Sequence, residues 1–246
     1  MTEQQLKKGY WHVDKESKLP NQVISLVDDY LPAERLRLLI TQTHLSPYQQ
    51  KKNYEHWCEI LPSLSEVKTL YLPSKVNQKI FDAVCQMPNL EGLHIKWSGI
   101  KKLDSLVNLK KLKHFYLGSS SQVQSIEVFT ELSNLESLET ENLKLISDFS
   151  AIAKLQQLQG LGINGSMWTA QKIDSLEPIR NLKELKYLSL RNSQIKDKSF
   201  DPILGLQQLV RFDSSWNYPE SEFDKLKTMA NLRYGNIQTS GKEIWS

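Results

Sequence analysis

The chain has 246 residues, a length that suits one large domain or two small ones and that allows a sizeable buried core. Hydrophobic residues make up 39% and charged residues 24%, with 10 Gly and 9 Pro, which excludes a disordered or collagen-like chain. The 31 Lys and Arg nearly balance the 28 Asp and Glu, and a net charge of +3 does not by itself indicate a nucleic-acid partner.

The N-terminal part of the sequence predicts a helical cap over residues 1–60. Apolar residues at helical spacing follow Leu19-Pro20 and stop at Pro32, a second apolar group spans residues 36–40, and Ser46-Pro47 begins a third helix. The block is charge-neutral. The apolar residues of the three helices are Val23, Ile24, Val27, Leu31, Leu36, Leu38, Leu39, Ile40, Tyr54, Trp57, Cys58 and Leu61.

Neither export nor membrane insertion is predicted. The first eight residues lack the apolar run of a signal peptide, and no stretch approaches the ~20 apolar residues of a membrane helix. Cys58 and Cys85 have neither metal-ligand nor CxxC spacing, so they favour reduced thiols, with one bridge as the alternative. We therefore expect a cytoplasmic protein that binds no membrane, metal or cofactor.

From residue 61 onward one phrase recurs, Leu-x-x-Leu-x-x-Leu-x-Leu with apolar replacements. The alternating end of each phrase predicts a strand with one buried face. Between phrases, apolar residues recur at every third position, which suits short 3₁₀ or helical returns, the segments that lead from one strand to the next. Eight copies start 22–27 residues apart, at Leu64, Met87, Leu109, Leu132, Leu155, Leu182, Leu206 and Met229.

Residues 61–238 therefore resemble the leucine-rich-repeat family, in its short internalin-like subclass. The resemblance implies an α/β fold, a right-handed solenoid in which about eight parallel strands line the concave side, with short 3₁₀ or helical returns. Residues 1–60 would be its N-terminal cap and residues 239–246, with Trp245, its C-terminal cover. Serine mostly replaces the Asn that usually follows each strand, at Ser98, Ser120, Ser166, Ser193 and Ser240, with Asn217 the exception.

A second, shorter resemblance covers residues 19–40. Leu19-Pro20, Val23, Ile24 and the later leucines are similar to the start of an F-box, a helical motif that often precedes leucine-rich repeats in ubiquitin-ligase adaptors. Ser46 stands where that motif usually has a tryptophan. The alternative interpretation of these residues is the helical cap.

The concave side is where we expect a partner to bind. Side chains that flank the core residues of each predicted strand point away from the core. These outward positions are aromatic and weakly cationic in the first three copies, acidic in the fourth, glycine in the fifth, and aromatic and polar in the last three. The predicted contact residues are Tyr71, His94, Lys96, Trp97, His114, Tyr116, Glu139, Glu141, Tyr187, Arg191, Arg211, Asp213, Trp216 and Tyr234. Tyr, Trp and Arg dominate protein–protein hot spots, whereas the alternative is a solvated face with scattered aromatics.

The longest spacing between copies marks an insertion after Ile163. Insertions between a strand and its return map to a loop on one edge of a solenoid. Two arrangements are open for the Met167-Trp168 pair within it. Trp168 is either an exposed contact point or folds back over the adjacent return.

Enzymatic motifs are not supported by their context. The string Gly160-Leu-Gly162-Ile-Asn-Gly165 matches GxGxxG, but a dinucleotide site needs its glycines after a strand, and here they fall within one. The histidines have no ligand spacing, and no GxSxG is present. We expect no enzyme.

The sequence thus favours a protein-binding scaffold that captures another protein on its concave face, to sequester or neutralise it as an immunity protein does. The alternative is an F-box-like adaptor. A nucleic-acid partner is disfavoured because Glu139 and Glu141 stand in the middle of the columns, where they would repel a phosphate backbone.

Overall fold

Nine parallel strands form the central sheet of the protein in a computed structural model, which describes residues 1–9, 20 and 22–235. Every neighbouring pair in this sheet is parallel, and its strands follow one another in chain order. They are β1 (Arg35–Arg37), β2 (Thr69–Leu72), β3 (Gly92–Ile95), β4 (His114–Leu117), β5 (Ser137–Glu141), β6 (Gly160–Asn164), β8 (Tyr187–Leu190), β10 (Arg211–Ser214) and β11 (Tyr234–Gly235). A separate parallel pair consists of β7 (Gln171–Ile173) and β9 (Ser193–Ile195).

The returns are short helical segments. Most are single 3₁₀ turns, in keeping with apolar residues at every third position. The 3₁₀ turns are Val27–Asp29, Leu61–Ser63, Asp104–Asn108, Glu127–Glu131, Ser150–Lys154, Glu177–Ile179 and Asp201–Ile203. The α-helices are α1 (Glu3–Lys8), α2 (Pro47–Ile60), α3 (Gln78–Val84) and α4 (Glu220–Leu226). The predicted leucine-rich-repeat solenoid, with parallel strands and short returns, is confirmed.

One hydrophobic core runs the length of the stack, from Ile24 to Leu232. Equivalent residues of successive strands pair with each other, so each repeat completes the core of its neighbour. The central pairs run Leu70, Leu93, Phe115, Leu138, Leu161, Leu188 and Phe212. A single repeat could not bury these side chains alone, which is why the stack is the folding unit.

The sequence-based prediction for residues 22–40 was wrong in its secondary structure. Of residues 36–40, expected to be helical, the first two lie in β1, which pairs with β2, and Leu38 forms a further parallel bridge with Ile24. Leu36 and Leu38 are both buried, as alternate residues of a strand can be, whereas residues two apart in a helix lie on different faces. The stack therefore begins one repeat earlier than the eight predicted copies.

The first expected helix is reduced to the 3₁₀ turn Val27–Asp29, and Leu31 is exposed. The helices that an F-box resemblance implies are therefore not formed by residues 22–40, and Leu19 lies outside the described residues. The third helix is confirmed as α2, which Ser46 and Gln49 begin with a capping box. The boundary of a cap at residue 60 stays a prediction.

The structure also bears on the predictions for the cysteines, for Trp168 and for a membrane helix. Cys58 and Cys85 are free thiols, as the spacing favours, and both are buried. Trp168 is 88% exposed, which contradicts the arrangement in which it folds back over a return. The C-terminal cover at residues 239–246, with Trp245 and Ser240, lies outside the described residues. Within the described part of the chain, no helix combines the length and apolar character needed to cross a membrane.

Candidate partner-binding surface on the concave face

The outward columns predicted from sequence lie in register on the concave face. Tyr71 pairs with His94, which pairs with Tyr116, and Tyr116 pairs with Glu139. The same column continues through Gly162, Ser189 and Asp213. Because neighbouring parallel strands are about 4.8 Å apart, successive positions of the column lie next to one another on this face.

The first end of this face is a stack of rings. The His94 ring lies parallel to the Tyr116 ring with centroids 4.2 Å apart, and 5.7 Å from the Tyr71 ring. Arg35 of β1 extends the stack, because its Nη2 donates to the Tyr71 hydroxyl at 3.0 Å and its guanidinium lies 5.9 Å from the ring centroid. We name this surface the aromatic end: Arg35, Tyr71, His94, His114 and Tyr116.

Arg35 was missed by the sequence reasoning because its segment was assigned to a helix. A signal was present, since Arg35-Leu36-Arg37-Leu38 repeats the x-Leu-x-Leu phrase of Thr69-Leu70-Tyr71-Leu72. This alternation predicts a strand with Arg35 beside Thr69, in the outward column that continues through Gly92 and His114, and β1 holds it there.

The pKa values of two side chains of the aromatic end, His114 and Tyr116, are shifted from their ordinary values. Burial lowers the pKa of the His114 imidazole, whose Nδ1 lies 2.8 Å from the Ser137 Oγ. Burial, followed by the nearby charge of Glu141, raises the pKa of Tyr116, whose hydroxyl donates to Glu141 Oε2 at 3.2 Å. Both rings therefore stay neutral near pH 7 and offer hydrogen bonding and stacking rather than charge. They line a cavity of about 250 Å³, to which Gln5 also contributes.

The acidic middle of the face is largely turned into the protein. Glu139 is buried and its Oε1 accepts a hydrogen bond of 2.8 Å from Asn164 Nδ2. Asn164 in turn accepts from the Ser189 hydroxyl and the Arg191 backbone amide through its Oδ1. Glu141 is half-buried and receives the Tyr116 hydroxyl. The two carboxylates thus organise the surface between its two ends.

The far end centres on one carboxylate. Asp213 Oδ2 accepts from Arg191 Nη2 at 2.6 Å and from Arg211 Nε at 2.9 Å, and the Tyr187 hydroxyl oxygen lies 3.2 Å from it. Two guanidinium groups around one carboxylate leave a surplus of positive charge. We name this surface the arginine end: Tyr187, Arg191, Arg211 and Asp213.

The chain's own N-terminal segment, residues 1–9, covers the arginine end. Leu6 packs against Tyr187 in a small cluster of its own. Arg211 Nη1 donates to the carbonyls of Lys7 and Leu6 at 2.8 and 3.3 Å, and the Tyr187 hydroxyl donates to the Gly9 carbonyl at 3.0 Å. Further contacts join Glu3 to Tyr234 and Arg233, and the Met1 ammonium group to Gln159. Several predicted contact residues therefore face a segment of this chain.

The position of this segment was not foreseen. The capping box of Thr2 and Gln5 and the left-handed Gly9 at the end of α1 indicate a short helix from sequence. Nothing in the local pattern says that this helix lies on strands that follow it by some 180 residues. The contact is a long-range one, as the separation of 178 positions between Gly9 and Tyr187 shows.

The two predicted tryptophans lie beyond the outward columns, and Lys96 lies just past the end of β3. Trp97 follows β3, where Lys75 Nζ lies 5.6 Å from its ring centroid. Trp216 follows β10 and lies 5.5 Å from the Phe223 ring of α4. Lys96 is exposed directly after β3. The structure does not bring the two tryptophans together with the stacked rings.

The concave surface offers stacking and hydrogen-bonding groups to a ligand. Among the described residues, no cluster of His, Cys, Asp or Glu has the arrangement of a metal site. Gly160 and Gly162 lie within β6, where no helix opens after them as a dinucleotide site requires.

Comparison with known proteins gives the fold. No protein-family model matches the sequence, and no curated protein matches it. Internalin C2 of Listeria monocytogenes is 23% identical with a TM-score of 0.55, over 71% of this chain and 72% of that one. A leucine-rich-repeat protein of Leptospira interrogans is 19% identical with a TM-score of 0.57, over 81% of this chain and 47% of that one, so the match spans about half of the Leptospira protein. The chain has the leucine-rich-repeat fold of the internalin-like type.

Proposed function

We propose that this chain is a non-enzymatic scaffold that captures another protein, with the aromatic end as the main contact surface. The observation that carries the proposal is the stack of Tyr71, His94 and Tyr116 beside a cavity on the concave face, continued by Arg35. Aromatic and arginine side chains held in fixed positions are the groups that dominate protein–protein hot spots. Their fixed stacking also lowers the entropy lost when a partner binds.

The charge of the surface favours a protein over a nucleic acid. Glu139 and Glu141 lie in the middle of the columns, next to the aromatic end. A phosphate backbone that followed the concave face would pass these carboxylates and be repelled. A protein surface with its own donors and apolar groups meets no such repulsion.

Catalysis is not part of the proposal. The contact of His114 Nδ1 with Ser137 Oγ has the length of a base–nucleophile pair. Ser137 lines the same cavity but is only 3% exposed, which leaves its hydroxyl little access to a substrate. We assign the pair to the support of the ring stack and propose no cofactor.

The finer function that we propose is sequestration or neutralisation of the partner within the cytoplasm, as an immunity protein neutralises a toxin. A rigid stack with a continuous core supports this role, because a pre-organised surface binds without first being ordered. An adaptor function would use helices at residues 19–40, and the described residues there form a strand and a 3₁₀ turn. We therefore do not favour it.

The test is affinity capture from the native host with the full chain and matched variants. His94→Ala and Tyr116→Ala remove rings of the aromatic end, whereas Lys110→Ala and Gln157→Ala change exposed residues of the returns. We expect the two ring variants to weaken one captured protein at least tenfold, with melting temperatures close to the wild type, and the other two to leave its affinity unchanged.

Three results would contradict the proposal. Capture that survives both ring variants but fails in Trp168→Ala would move the site to the exposed insertion. Capture that depends on α2 and not on the concave face would favour an adaptor. If the chain instead captured a nucleic acid, and high salt abolished that binding, the partner would be a nucleic acid and not a protein.

A further inference from the structure

The arginine end holds the last turn of α1 by its main chain. The last four carbonyls of a helix have no partner within the helix. Here Arg211 donates to the carbonyls of Leu6 and Lys7, and Tyr187 and Arg191 Nη2 both point to the Gly9 carbonyl, at 3.0 and 3.4 Å. The partial negative charge of a helix C-terminus thus meets two guanidinium groups that share one carboxylate.

We propose that the arginine end is a receptor for the carboxyl end of a short helix in the protein partner, and that residues 1–9 occupy it until the partner displaces them. This inference rests on the proposed function, since it assigns a second part of the same concave face. It also names the chemistry of the ligand: main-chain carbonyls at a helix end, followed by a residue in the left-handed conformation.

The geometry at Gly9 determines which residue can end a helix that binds to the arginine end. Gly9 ends α1 with a φ of 71°, a conformation that suits glycine. A Cβ on Gly9 would lie 2.7 Å from Arg211 Cζ, so a larger residue would press on the guanidinium that holds the helix end. The partner's helix is therefore expected to end in glycine.

The contacts of α1 suit a segment that can be exchanged. The helix has six residues, too few to be stable alone in water, so its structure depends on the surface beneath it. Leu6 is its one buried residue, and Arg211 and Tyr187 reach the segment through the main-chain carbonyls of Leu6, Lys7 and Gly9. Another helix end would present the same carbonyls, whatever its side chains.

The experiment uses the full chain and a helical peptide as the probe. The peptide carries residues 1–9 with Gln4→Glu joined to Lys8 by a side-chain lactam, a bridge between two exposed positions that stabilises the helix. The control peptide also carries Leu6→Gln. Two full-length chains are compared, Leu6→Gln, which removes the buried contact, and Lys7→Gln, which changes its exposed neighbour to the same residue.

Peptide binding is measured by fluorescence anisotropy. We expect the peptide to bind the Leu6→Gln chain at least tenfold tighter than the wild type or the Lys7→Gln chain, in which residues 1–9 occupy the surface. The control peptide should bind at least tenfold more weakly. Adding Tyr187→Phe or Arg191→Gln to the Leu6→Gln chain should weaken the peptide at least fivefold, because each removes a donor to the Gly9 carbonyl.

Equal binding by all chains, or no binding by the Leu6→Gln chain, would overturn the inference. Hydrogen exchange at the Leu6 and Gly9 amides shows whether residues 1–9 are released, and protection that persists in the Leu6→Gln chain would also overturn it, since the segment would not be displaceable. None of these measurements uses the partner. A captured partner should bind the Leu6→Gln chain at least threefold tighter than the Lys7→Gln chain, and weaker binding would make residues 1–9 part of the partner's site.

Failure of this inference is separable from failure of the proposed function. If the peptide does not bind while His94→Ala still abolishes capture, the scaffold function stands and the receptor is wrong. If the peptide binds but no protein is captured on the concave face, the arginine end holds only the chain's own helix and the partner assignment falls.

Discussion

The hydroxyl of Tyr187 lies 3.0 Å from the carbonyl oxygen of Gly9, although 178 residues separate them in the chain. The same hydroxyl lies 3.2 Å from Asp213 Oδ2. Burial, and then the charge of Asp213, raise the pKa of this phenol. One side chain therefore links the N-terminal segment to the last repeats, and it does so only while it keeps its proton.

Tyr187 predicts a loss of stability at alkaline pH. A tyrosine ionises near pH 10 when unfolded, whereas the folded protein keeps Tyr187 neutral above that value. Its contribution is therefore complete below pH 10 and is lost as the pH rises above it, because only the unfolded state releases the proton. Each such tyrosine steepens the fall in unfolding free energy by about 1.4 kcal/mol per pH unit.

Urea unfolding at pH 9, 10 and 11 measures this effect. Tyr187→Phe should make the alkaline fall shallower by about 1.4 kcal/mol per pH unit, since the group that titrates differently is gone. Tyr48→Phe is the control, because Tyr48 is 78% exposed in the folded protein. Identical slopes in wild type and Tyr187→Phe would show that this phenol ionises freely in the folded state.

Asp213 predicts a large loss of stability when it is neutralised. Its side chain is 8% exposed and forms ion pairs with Arg211, whose side chain is 9% exposed, and with Arg191. Asp213→Asn leaves a buried guanidinium without its counter-charge, which typically destabilises by about 3–5 kcal/mol. We expect a loss of that size in urea unfolding.

Asp201→Asn is the matched control for Asp213→Asn. Asp201 also pairs with a cation, Lys225, at 2.7 Å, but its side chain is 57% exposed. Exposed pairs contribute little, so the urea midpoint should hardly change. Similar shifts for both variants would mean that burial does not decide the strength of the Asp213 network.

The repeats could be predicted because strand alternation and the register of a solenoid are local properties. Leu70 and Leu93 occupy the same place in successive phrases, and stacking puts them side by side without further information. β1 was missed because Leu36, Leu38, Leu39 and Ile40 fit both an alternating and a helical pattern over so short a run. Its pairing with β2 decided between them.

The candidate site could be predicted only in part, for a different reason. The outward columns follow from the period of a strand, so Tyr71, His94 and Tyr116 were placed together before the fold was known. The occupation of the arginine end by residues 1–9 is a tertiary contact between segments with no shared period. Charge gave no help either, because Arg211 binds main-chain carbonyls rather than an acidic side chain of that segment.

We predict that a larger residue cannot replace Gly118, directly after β4, without a loss of stability. A Cβ at this position would lie 2.2 Å from the carbonyl oxygen of Lys96, a backbone atom that the adjacent repeat holds in place. Gly118→Ala should therefore lower the urea midpoint markedly. Gly205→Ala is the control, since the nearest atom to its new Cβ would be the end of the Lys183 side chain at 3.9 Å.

The two glycine variants should differ in sign. Gly205→Ala reduces the entropy of the unfolded chain without a clash, which typically stabilises by about 0.4–1 kcal/mol. Gly118→Ala has the same entropic benefit but must separate two repeats. If both variants were stabilising, the close approach of β4 to the preceding repeat would be refuted.

We predict that α2 closes the first end of the stack through Trp57. Its side chain is fully buried, its Nε1 donates to the Ser25 carbonyl at 2.8 Å, and its ring meets the Tyr30 ring edge-on at 6.2 Å. Trp57→Ala leaves a large cavity, although Asn53 Nδ2 still donates to the Ser25 carbonyl at 2.7 Å, and it should lower the unfolding free energy by about 3–5 kcal/mol. Tyr48 lies on the exposed side of the same helix, so Tyr48→Ala should change the unfolding free energy by less than about 0.5 kcal/mol.

Because a solenoid needs covered ends to stay soluble, size-exclusion chromatography at high concentration should show Trp57→Ala associating and Tyr48→Ala monomeric. A Trp57→Ala chain that remains as stable and as monomeric as Tyr48→Ala would show that α2 does not close the stack.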